Sequence, residues 1–287
     1  MLTARLAAPR WAALDPGAGR IVVDGMWVVA AGRARQTRAP TDGARRHPIL
    51  SPVCGRYTNT TGPEEIGTRL GVALKSDAGT RRYNVAPTQE VLALVAPHGE
   101  TEARMLRWGL IPPWGRDRPN AHSMINARME TVAQKRAYGG LVATATHRAL
   151  QVADGWYEWL KPERRGEPRQ PFHFSVDGGL PFAFAALWRE TVVEGESVGS
   201  VVLLTCDSAP NDVARAIHDR MPVVLADPEL WRAWLDPELG ADDVLALCGA
   251  LPTERLTGRP ANPAVNRVKG TAEGPELLVA PAQSQPG

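Results

Sequence analysis

The sequence predicts a mixed α+β fold, with a single domain in which a mainly antiparallel, barrel-like sheet is surrounded by helices. Strand patterns outnumber helix patterns, and the two do not alternate in the regular βαβ order of a doubly wound sheet. Residues 54–270 contain no internal repeat and no linker-like stretch, which indicates one domain. The predicted strands are Glu90–Ala96, Arg104–Trp108, Gln170–Val176, Phe182–Trp188 and Ser200–Cys206.

Helix boundaries are marked by capping residues, prolines and acidic first turns. The clearest helix start is the run in which two threonines are followed by a proline and two glutamates. The four predicted helices begin at Pro63 after Thr60–Thr61, run over Ser208–His218 with Ser208 or Asn211 as the cap, begin at Asp227-Pro228-Glu229, and run over Asp242–Leu251.

The two ends of the chain differ in composition from the rest. Residues 1–52 hold eight arginines against three aspartates and lack sustained periodicity, with short apolar stretches at Ile21–Val23 and Met26–Ala31. They match a secretory signal poorly and a transit peptide only weakly, so we expect an extension that is disordered or wrongly assigned to the protein. Residues 271–287 are rich in Pro, Ala, Gln and Ser and predict a flexible tail.

Charge and cysteine content narrow the function classes. The net charge is +2, and the arginines before residue 53 leave the remainder net negative, so any nucleic-acid site has to be a local patch. Cys54, Cys206 and Cys248 form no CxxC pair, which argues against a disulfide framework or a zinc site and for a reducing cytoplasm. No apolar run is long enough to span a bilayer. We therefore expect a cytoplasmic monomer that holds no metal and no membrane contact.

Six short segments combine reactive, aromatic and basic residues. They are Cys54-Gly-Arg-Tyr, Tyr83-Asn-Val-Ala-Pro-Thr-Gln, Trp108-Gly-Leu-Ile-Pro-Pro-Trp, Asn126-Ala-Arg-Met-Glu-Thr, Ala153-Asp-Gly-Trp-Tyr-Glu-Trp and His218-Asp-Arg-Met-Pro. Each alone has a structural explanation, since a lone cysteine is usually a small buried hydrophobe. Together, in this order and over residues 54–270, they resemble the SOS response-associated peptidase family, also called abasic-site processing proteins.

The resemblance implies a set of catalytic residues and a substrate. It implies that Cys54 is the catalytic cysteine, Asn126 an active-site asparagine, Glu158 an acid/base carboxylate and His218 the active-site histidine. The implied function is to bind abasic sites in single-stranded DNA and to form a covalent thiazolidine cross-link, in the DNA-damage (SOS) response and without a cofactor. Abasic-site lyase and self-processing peptidase activities are further implications of the family.

The chemistry of an N-terminal cysteine fits that substrate. An abasic deoxyribose is in equilibrium with an open aldehyde, and only an N-terminal cysteine offers an amine and a thiol on adjacent carbons. The amine condenses to a Schiff base, and the thiol then closes a five-membered thiazolidine. An α-amine with a pKa of about 8 is substantially neutral near pH 7, unlike a lysine at about 10.4. The thiol, with a pKa of about 8.5, needs only modest help to react as thiolate.

The other residues of the motifs then have natural roles. Glu158 is suited to move the proton that opens the sugar ring and expels water from the carbinolamine, and its aromatic neighbours would raise its pKa. His218 titrates in the working range and would assist ring opening or protonate the leaving phosphate side. Asn126 offers a donor and an acceptor to the α-amine.

Basic and aromatic side chains near the motifs are the predicted DNA contacts. For Trp108, which ends a predicted strand, core packing is an equal alternative to base stacking. The predicted contacts are Arg56 and Arg128, with Arg82, for the flanking phosphates, Trp108 and Trp114 for stacking bases or wedging the duplex end, and Asn84 and Thr88 for the floor of the groove.

Two other functions remain open. One is an N-terminal-nucleophile cysteine amidohydrolase or peptidase acting on a small amide, with the α-amine of Cys54 as base and Asn126 as an oxyanion donor. The other is a non-catalytic module that binds single-stranded nucleic acid. DNA affinity that falls with salt distinguishes a DNA binder from an amidase, and Cys54→Ala distinguishes chemistry from binding.

The position of Cys54 is where the sequence departs from the family. Members begin Met-Cys-Gly-Arg, and removal of the methionine exposes the cysteine, whereas here Val53 precedes Cys54. An internal cysteine has its nitrogen in an amide and cannot form a Schiff base. We expect that Val53 is the true start, its GTG-type codon being read as methionine, or else that the extension is removed by proteolysis, so that the native protein begins at Cys54.

Overall fold

The computed structural model describes residues 54–71, 81–115, 124–162, 168–268 and 273–281, together with three short strands nearer the start of the chain. The chain divides into two units, Met1–Ser51 and Pro52–Gly287. In the first unit β1 (Leu14–Asp15), β2 (Arg20–Val23) and β3 (Met26–Val29) pair antiparallel in that order. The two apolar stretches noted in the sequence overlap β2 and β3. The assignment of residues 1–52 as an extension stays a prediction.

The second unit contains the remaining strands and the helices. Its strands are β4 (Arg56–Asn59), β5 (Arg82–Val85), β6 (Glu90–Val95), β7 (Glu102–Trp108), β8 (Asn126–Arg128), β9 (Arg148–Ala153), β10 (Gly155–Trp159), β11 (Pro171–Val176), β12 (Phe182–Val193), β13 (Glu196–Asp207), β14 (Arg220–Pro222), β15 (Val224–Leu225) and β16 (Leu256–Pro260). Its helices are α1 (Pro63–Leu70), α2 (Gly139–Ala143), α3 (Asp212–Arg215), α4 (Pro228–Leu235) and α5 (Ala241–Ala246). Short 3₁₀ turns lie at Pro113–Gly115, Met129–Gln134, Ala145–His147, Thr253–Arg255, Pro263–Asn266 and Pro275–Leu278.

Five of these strands close into a barrel in the order β6, β7, β13, β12 and β9, with β9 returning to β6. Only the β7–β13 pairing in this ring is parallel; the others are antiparallel. The ring fills with buried aliphatic and aromatic side chains, among them Leu94, Leu203 and Phe184. Outside the ring, β8 and β14 pair with β13, and β15 with β12. The mainly antiparallel barrel with a few helices confirms the predicted α+β class.

A second, antiparallel sheet in the order β16, β11, β10, β4 and β5 packs against the barrel through aromatic rings. Trp156 on β10 stacks on Phe174 with ring centroids 5.2 Å apart and meets Phe182 of the barrel edge-on at 6.0 Å. Tyr57 on β4 contacts Phe184 in the same way at 5.9 Å. Such ring pairs stabilise the interface by about 0.5–1.5 kcal/mol each beyond the area that they bury.

One continuous stretch of chain runs from the barrel directly into the second sheet. β9 and β10 are separated only by Asp154, where the strand leaves the barrel and enters the second sheet. Gly155 follows the corner, and a Cβ there would lie 2.3 Å from His173 Nε2 and 2.7 Å from the Phe174 carbonyl oxygen. Only glycine therefore allows β11 to approach β10 this closely.

The predicted strands are confirmed; β7 begins two residues earlier than predicted, and two further strands are much longer. β12 and β13 continue as a two-stranded ribbon to the pair Val193 and Glu196, beyond the apolar stretch that marked them in the sequence. Cross-strand hydrogen bonding, not burial, holds that part, so apolar composition does not reveal it. Short strands such as β4, β8 and β14 carry no pattern of their own and were not predicted.

The helix starts are confirmed more closely than the helix lengths. α1 begins at Pro63, but its N-cap is Gly62, and the Thr60 and Thr61 hydroxyls bind Asp154 instead. Asn211 caps α3, because its side chain accepts a hydrogen bond from the Ala214 N–H at 2.8 Å. That helix spans four residues and α5 ends at Ala246, so both are shorter than predicted.

The end of the chain differs from the predicted flexible tail over residues 273–281. Leu277 lies in a 3₁₀ turn and is 1% exposed, and its carbonyl accepts the Asn262 N–H at 3.2 Å. Glu273 accepts the Tyr83 N–H at 2.8 Å, which caps the edge strand β5. These contacts hold this segment against β5 and against the chain that follows β16, which composition alone does not predict. Residues 282–287 lie outside the described residues.

Among the described residues no helix combines the length and the apolar character that crossing a bilayer requires.

Candidate active site

Cys54 and Glu158 meet at one end of the second sheet. β4 and β10 are antiparallel with Arg56 opposite Tyr157, which brings the residues preceding β4 beside Glu158. The Cys54 N–H donates a hydrogen bond to Glu158 Oε1 at 2.6 Å. Both residues are buried, with relative exposures of 0% and 3%. The structure therefore joins two of the four predicted catalytic residues directly.

Burial governs the electrostatics of this pair. It raises the pKa of the Glu158 carboxyl well above its usual range, an effect that the Cys54 hydrogen bond opposes and the Asp219 charge reinforces. Burial, and then the charge of Glu158, also raise the pKa of the Cys54 thiol well above its usual value. The carboxyl therefore retains its proton to higher pH, and the thiol needs a base before it can react. Burial therefore opposes the activation that the sequence suggested for the thiol.

His218 reaches the site on the turn between α3 and β14. Its Nδ1 accepts the Arg220 backbone N–H at 3.0 Å and lies 3.0 Å from Asp219 Oδ1. Burial lowers the pKa of His218, and the charge of Asp219 partly opposes this. The charge of Asp219 also raises the pKa of Glu158.

Strand pairing fixes the position of Asn126. It opens β8, which runs parallel to β13 with Asn126 opposite Leu203. An ion pair links this segment to the histidine turn, since Arg220 Nη1 and Nη2 lie 2.7 and 3.0 Å from the two carboxylate oxygens of Glu130. The sequence predicted no role for Glu130 or Arg220. Both lie inside the motifs that begin at Asn126 and His218, and that position was the signal that could have identified them.

Asp154 organises the strand that follows Cys54. Its carboxylate accepts the hydroxyls of Thr58, Thr60 and Thr61 at 2.6, 2.7 and 3.0 Å, and the backbone N–H groups of Thr60 and Thr61. These donors all lie at the far end of β4 from Cys54. Asp154, just before β10, and Glu158, on β10, thus hold the two ends of the segment that carries the cysteine.

The predicted phosphate-binding arginines have different environments. Arg56 is half-buried beside Cys54, donates to the Gly55 carbonyl at 2.8 Å, and has a pKa that burial lowers. Arg128 follows Ala127 at the end of β8 and is exposed. Arg82 donates to the Glu90 carbonyl at 2.9 Å and to Gln89, so it orders the loop between β5 and β6.

The remaining predicted DNA contacts differ in their burial. Trp108 is fully buried, donates Nε1–H to the Ile125 carbonyl at 3.1 Å and meets Tyr57 edge-on, so its role is core packing and base stacking is corrected. Trp114 is 53% exposed, with the Arg136 guanidinium 4.6 Å from its ring centroid. Asn84 is buried and binds the Val265 and Arg267 carbonyls, which anchors a loop instead of forming a groove floor. Thr88 donates its backbone N–H to the Trp108 carbonyl at 2.8 Å.

One known family model covers all six sequence segments. The family model described as SOS response-associated peptidase (SRAP) matches residues 53–268. The chain belongs to the SRAP family. The match spans the six sequence segments, and so includes Cys54, Asn126, Glu158 and His218.

Relatives of this SRAP chain occur in distant bacteria. It is 33% identical over 197 residues to the abasic site processing protein YoaM of Bacillus subtilis, a match that covers 67% of this chain and 83% of YoaM. It is 31% identical to the abasic site processing protein YedK of Escherichia coli, covering 79% of this chain and 99% of YedK. Among solved structures, a protein from Bacteroides thetaiotaomicron superposes with a TM-score of 0.68 at 20% identity, covering 79% of this chain and all of that one. That likeness shows the shared fold.

Proposed function

We propose that this SRAP protein binds abasic sites in single-stranded DNA and, with Cys54 as its first residue, forms a thiazolidine cross-link to them. The observation that carries the proposal is the 2.6 Å contact between the Cys54 nitrogen and the Glu158 carboxyl. It puts an acid/base group on the atom that would attack the aldehyde. The names of the relatives, which describe abasic site processing, support the substrate.

The proposed reaction needs no redox partner. The Cys54 α-amine adds to the C1′ aldehyde of the opened sugar, and an N–H proton moves to the oxygen to give a carbinolamine. Loss of the hydroxyl as water leaves an iminium. The Cys54 sulfur then adds to C1′ and closes the ring, so that aminothiol and aldehyde yield thiazolidine and one water.

One carboxyl can serve both proton transfers. Glu158, kept protonated by burial, gives its proton to the departing hydroxyl and becomes a carboxylate. That carboxylate then takes the proton of the Cys54 thiol, which burial has kept un-ionised. Glu158 ends in the state in which it began. His218, with Nδ1 engaged by the Arg220 N–H, would present Nε2 to the opening sugar.

DNA binding is assigned to the basic, aromatic and amide side chains of the motifs that are not fully buried. Half-buried Arg56 belongs to the segment that begins at Cys54, and exposed Arg128 ends β8. Both guanidinium groups are suited to bind phosphate oxygens. Trp114 keeps half its surface exposed and can stack on a neighbouring base. Asn126 is assigned to hold the α-amine, with its donor and acceptor.

The requirement for a free α-amine agrees with the backbone at Cys54. Its φ is +45°, a left-handed conformation that costs a non-glycine residue about 1–3 kcal/mol. A chain that begins at Cys54 has no preceding carbonyl and is free of that strain. Removal of the preceding residues would therefore create the reactive amine and relieve the backbone together.

The test uses the full chain and a chain whose Cys54 is made N-terminal by methionine removal. Each is incubated with an abasic-site oligonucleotide or its intact-base counterpart and separated on a denaturing gel. We expect a heat-stable adduct only with the abasic strand and only when Cys54 is N-terminal, unchanged by EDTA. Glu158→Gln is expected to slow adduct formation on the order of 10²-fold, whereas the exposed Glu229→Gln serves as the control.

Several outcomes would overturn the proposal. An adduct of equal yield with intact-base DNA, or loss of the adduct in EDTA, contradicts the aminothiol reaction. Hydrolysis of a small amide by the N-terminal Cys54 protein, without any adduct, would favour the amidohydrolase. Salt-sensitive DNA binding that survives Cys54→Ala, again without an adduct, would favour the non-catalytic binding module.

A further inference from the structure

The turn that carries His218 also carries a carboxylate with no role so far. The backbone of this turn is fixed by Ser208, which is fully buried. Ser208 Oγ donates to the His218 carbonyl at 2.6 Å, and the Ser208 N–H donates to the Asp219 carbonyl at 3.1 Å. The side chain of Asp219 is nevertheless 90% exposed. Its backbone is therefore held in place while its carboxylate stands in solvent.

The Asp219 carboxylate contacts one acid/base group of the candidate site and acts electrostatically on another. Asp219 Oδ1 lies 3.0 Å from His218 Nδ1. Its negative charge also raises the pKa of Glu158, whose carboxyl accepts a hydrogen bond from the Cys54 N–H. The remaining charges that act on His218 are those of Arg169 and Arg220. Asp219 thus connects a histidine and a carboxyl that lie far apart in the sequence.

We propose that Asp219 is a positioning residue that pairs with the imidazolium of His218 and, through the same negative charge, couples His218 to Glu158. The inference rests on the proposed cross-linking function for its catalytic consequence, but not for the pairing itself. The charge of Asp219 raises the pKa of both groups. An opposite charge favours the charged form of the imidazole, and a like charge disfavours the charged form of the carboxyl. Both groups therefore hold their protons to higher pH with Asp219 present.

His218 Nδ1 has a different partner in each protonation state. Neutral His218 accepts the Arg220 N–H on Nδ1, so its proton is on Nε2. Protonated His218 carries a proton on Nδ1 as well, and Asp219 Oδ1 at 3.0 Å is the acceptor in reach. Asp219 thus accommodates the imidazolium after it takes up a proton, while Glu158 remains able to donate one.

The variant that tests this is Asp219→Asn, which keeps the size of the side chain and removes its charge. Two measurements are made: the pH–rate profile of adduct formation with the N-terminal Cys54 protein, and the pH titration of the His218 ring signal by NMR in the full chain. We expect both limbs of the rate profile and the His218 titration to move to lower pH, by roughly a few tenths of a pH unit because the carboxylate is exposed. The shift should shrink in 0.5 M NaCl.

Two controls separate coupling from simple damage. Asp219→Glu retains the charge and should leave both limbs near their wild-type positions, and Glu229→Gln removes an exposed carboxylate from α4 and should change neither. A lower rate in Asp219→Asn with unmoved limbs, or an unchanged His218 titration, would overturn the inference. If the wild-type protein forms no adduct at all, the proposed function fails, yet the NMR titration still decides whether Asp219 pairs with His218.

Discussion

At the scale of single residues, Cys54 differs from the other two cysteines in its neighbours rather than in its burial. Cys206 is buried and Cys248 is half-buried, and burial raises the pKa of each thiol to about 12. Cys54 is buried as well, but it alone contacts a carboxyl through its own nitrogen. We therefore expect the reactivity of Cys54 to depend on the adjacent Glu158 carboxyl.

The cysteines give the first prediction. Cys54→Ala should abolish the thiazolidine adduct, because it removes the ring-closing sulfur. Cys206→Ala and Cys248→Ala should keep the adduct rate within roughly twofold, since an internal cysteine has no free α-amine and cannot close a thiazolidine. The measurement is adduct yield on a denaturing gel, alongside a circular dichroism melt. Equal loss in all three variants would mean that folding, not chemistry, limits the yield.

At the scale of elements, two carboxyl side chains hold the segment that carries Cys54, one just before β10 and one on β10. Glu158 binds one end of the β4 segment, and Asp154, at the corner between β9 and β10, binds the other. Asp154 is 6% exposed and accepts hydrogen bonds from three threonines. An amide in its place would present a donor where only donors approach.

Asp154→Asn gives the second prediction. It should lower the free energy of unfolding by about 2–3 kcal/mol, because buried donors lose a charged acceptor. Adduct formation should slow as well, because β4 no longer fixes Cys54 against Glu158. Urea unfolding and adduct kinetics measure the two effects. Asp212→Asn, in an exposed ion pair with Arg215, is the matched control and should change stability by less than about 0.5 kcal/mol. An unchanged unfolding midpoint in Asp154→Asn would contradict the role given to this carboxylate.

His173, on the strand beside this corner, gives the third prediction. Its Nε2 lies 3.3 Å from Thr58 Oγ1, and burial lowers its pKa from 6.5 to about 4. The unfolded chain therefore binds a proton between these pH values that the folded protein does not, so stability should fall as pH drops from 6.5 towards 4. Thermal melts across this range should show a smaller acid loss in His173→Gln. An identical pH dependence in both proteins would exclude His173 as the cause.

At the scale of the whole molecule, the cluster of buried core residues draws its members from 54–256 among the described residues. The barrel and the second sheet form one unit that begins near Cys54, and the family match begins at residue 53. The reaction proposed for the protein needs a free amine at that boundary.

The boundary gives the fourth prediction. We expect protein isolated from its own host to begin at Cys54, and a chain that starts there to melt within a few degrees of the full-length chain. Intact-mass analysis and thermal melts measure these outcomes. A dominant species that retains residues before Cys54 and still cross-links abasic DNA would contradict both the start-site assignment and the thiazolidine mechanism.

Local sequence determined the parts of this protein and tertiary structure determined how they meet. The apolar pattern predicts β6, β7 and β11 almost to their ends, because burial and strand geometry act within a few residues. The motifs predict that Cys54 and Glu158 are the reactive residues, because their chemistry depends on residue type.

The contacts were decided only by the fold. Cys54 and Glu158 are 104 residues apart, and Glu130 and Arg220 are 90 apart. These distances depend on which strands pair and in which register, and no local pattern states that. Trp108 shows the same limit, since one tryptophan at a strand end fits either a groove or a core. The closure of the barrel and the packing of Tyr57 against it placed Trp108 in the core.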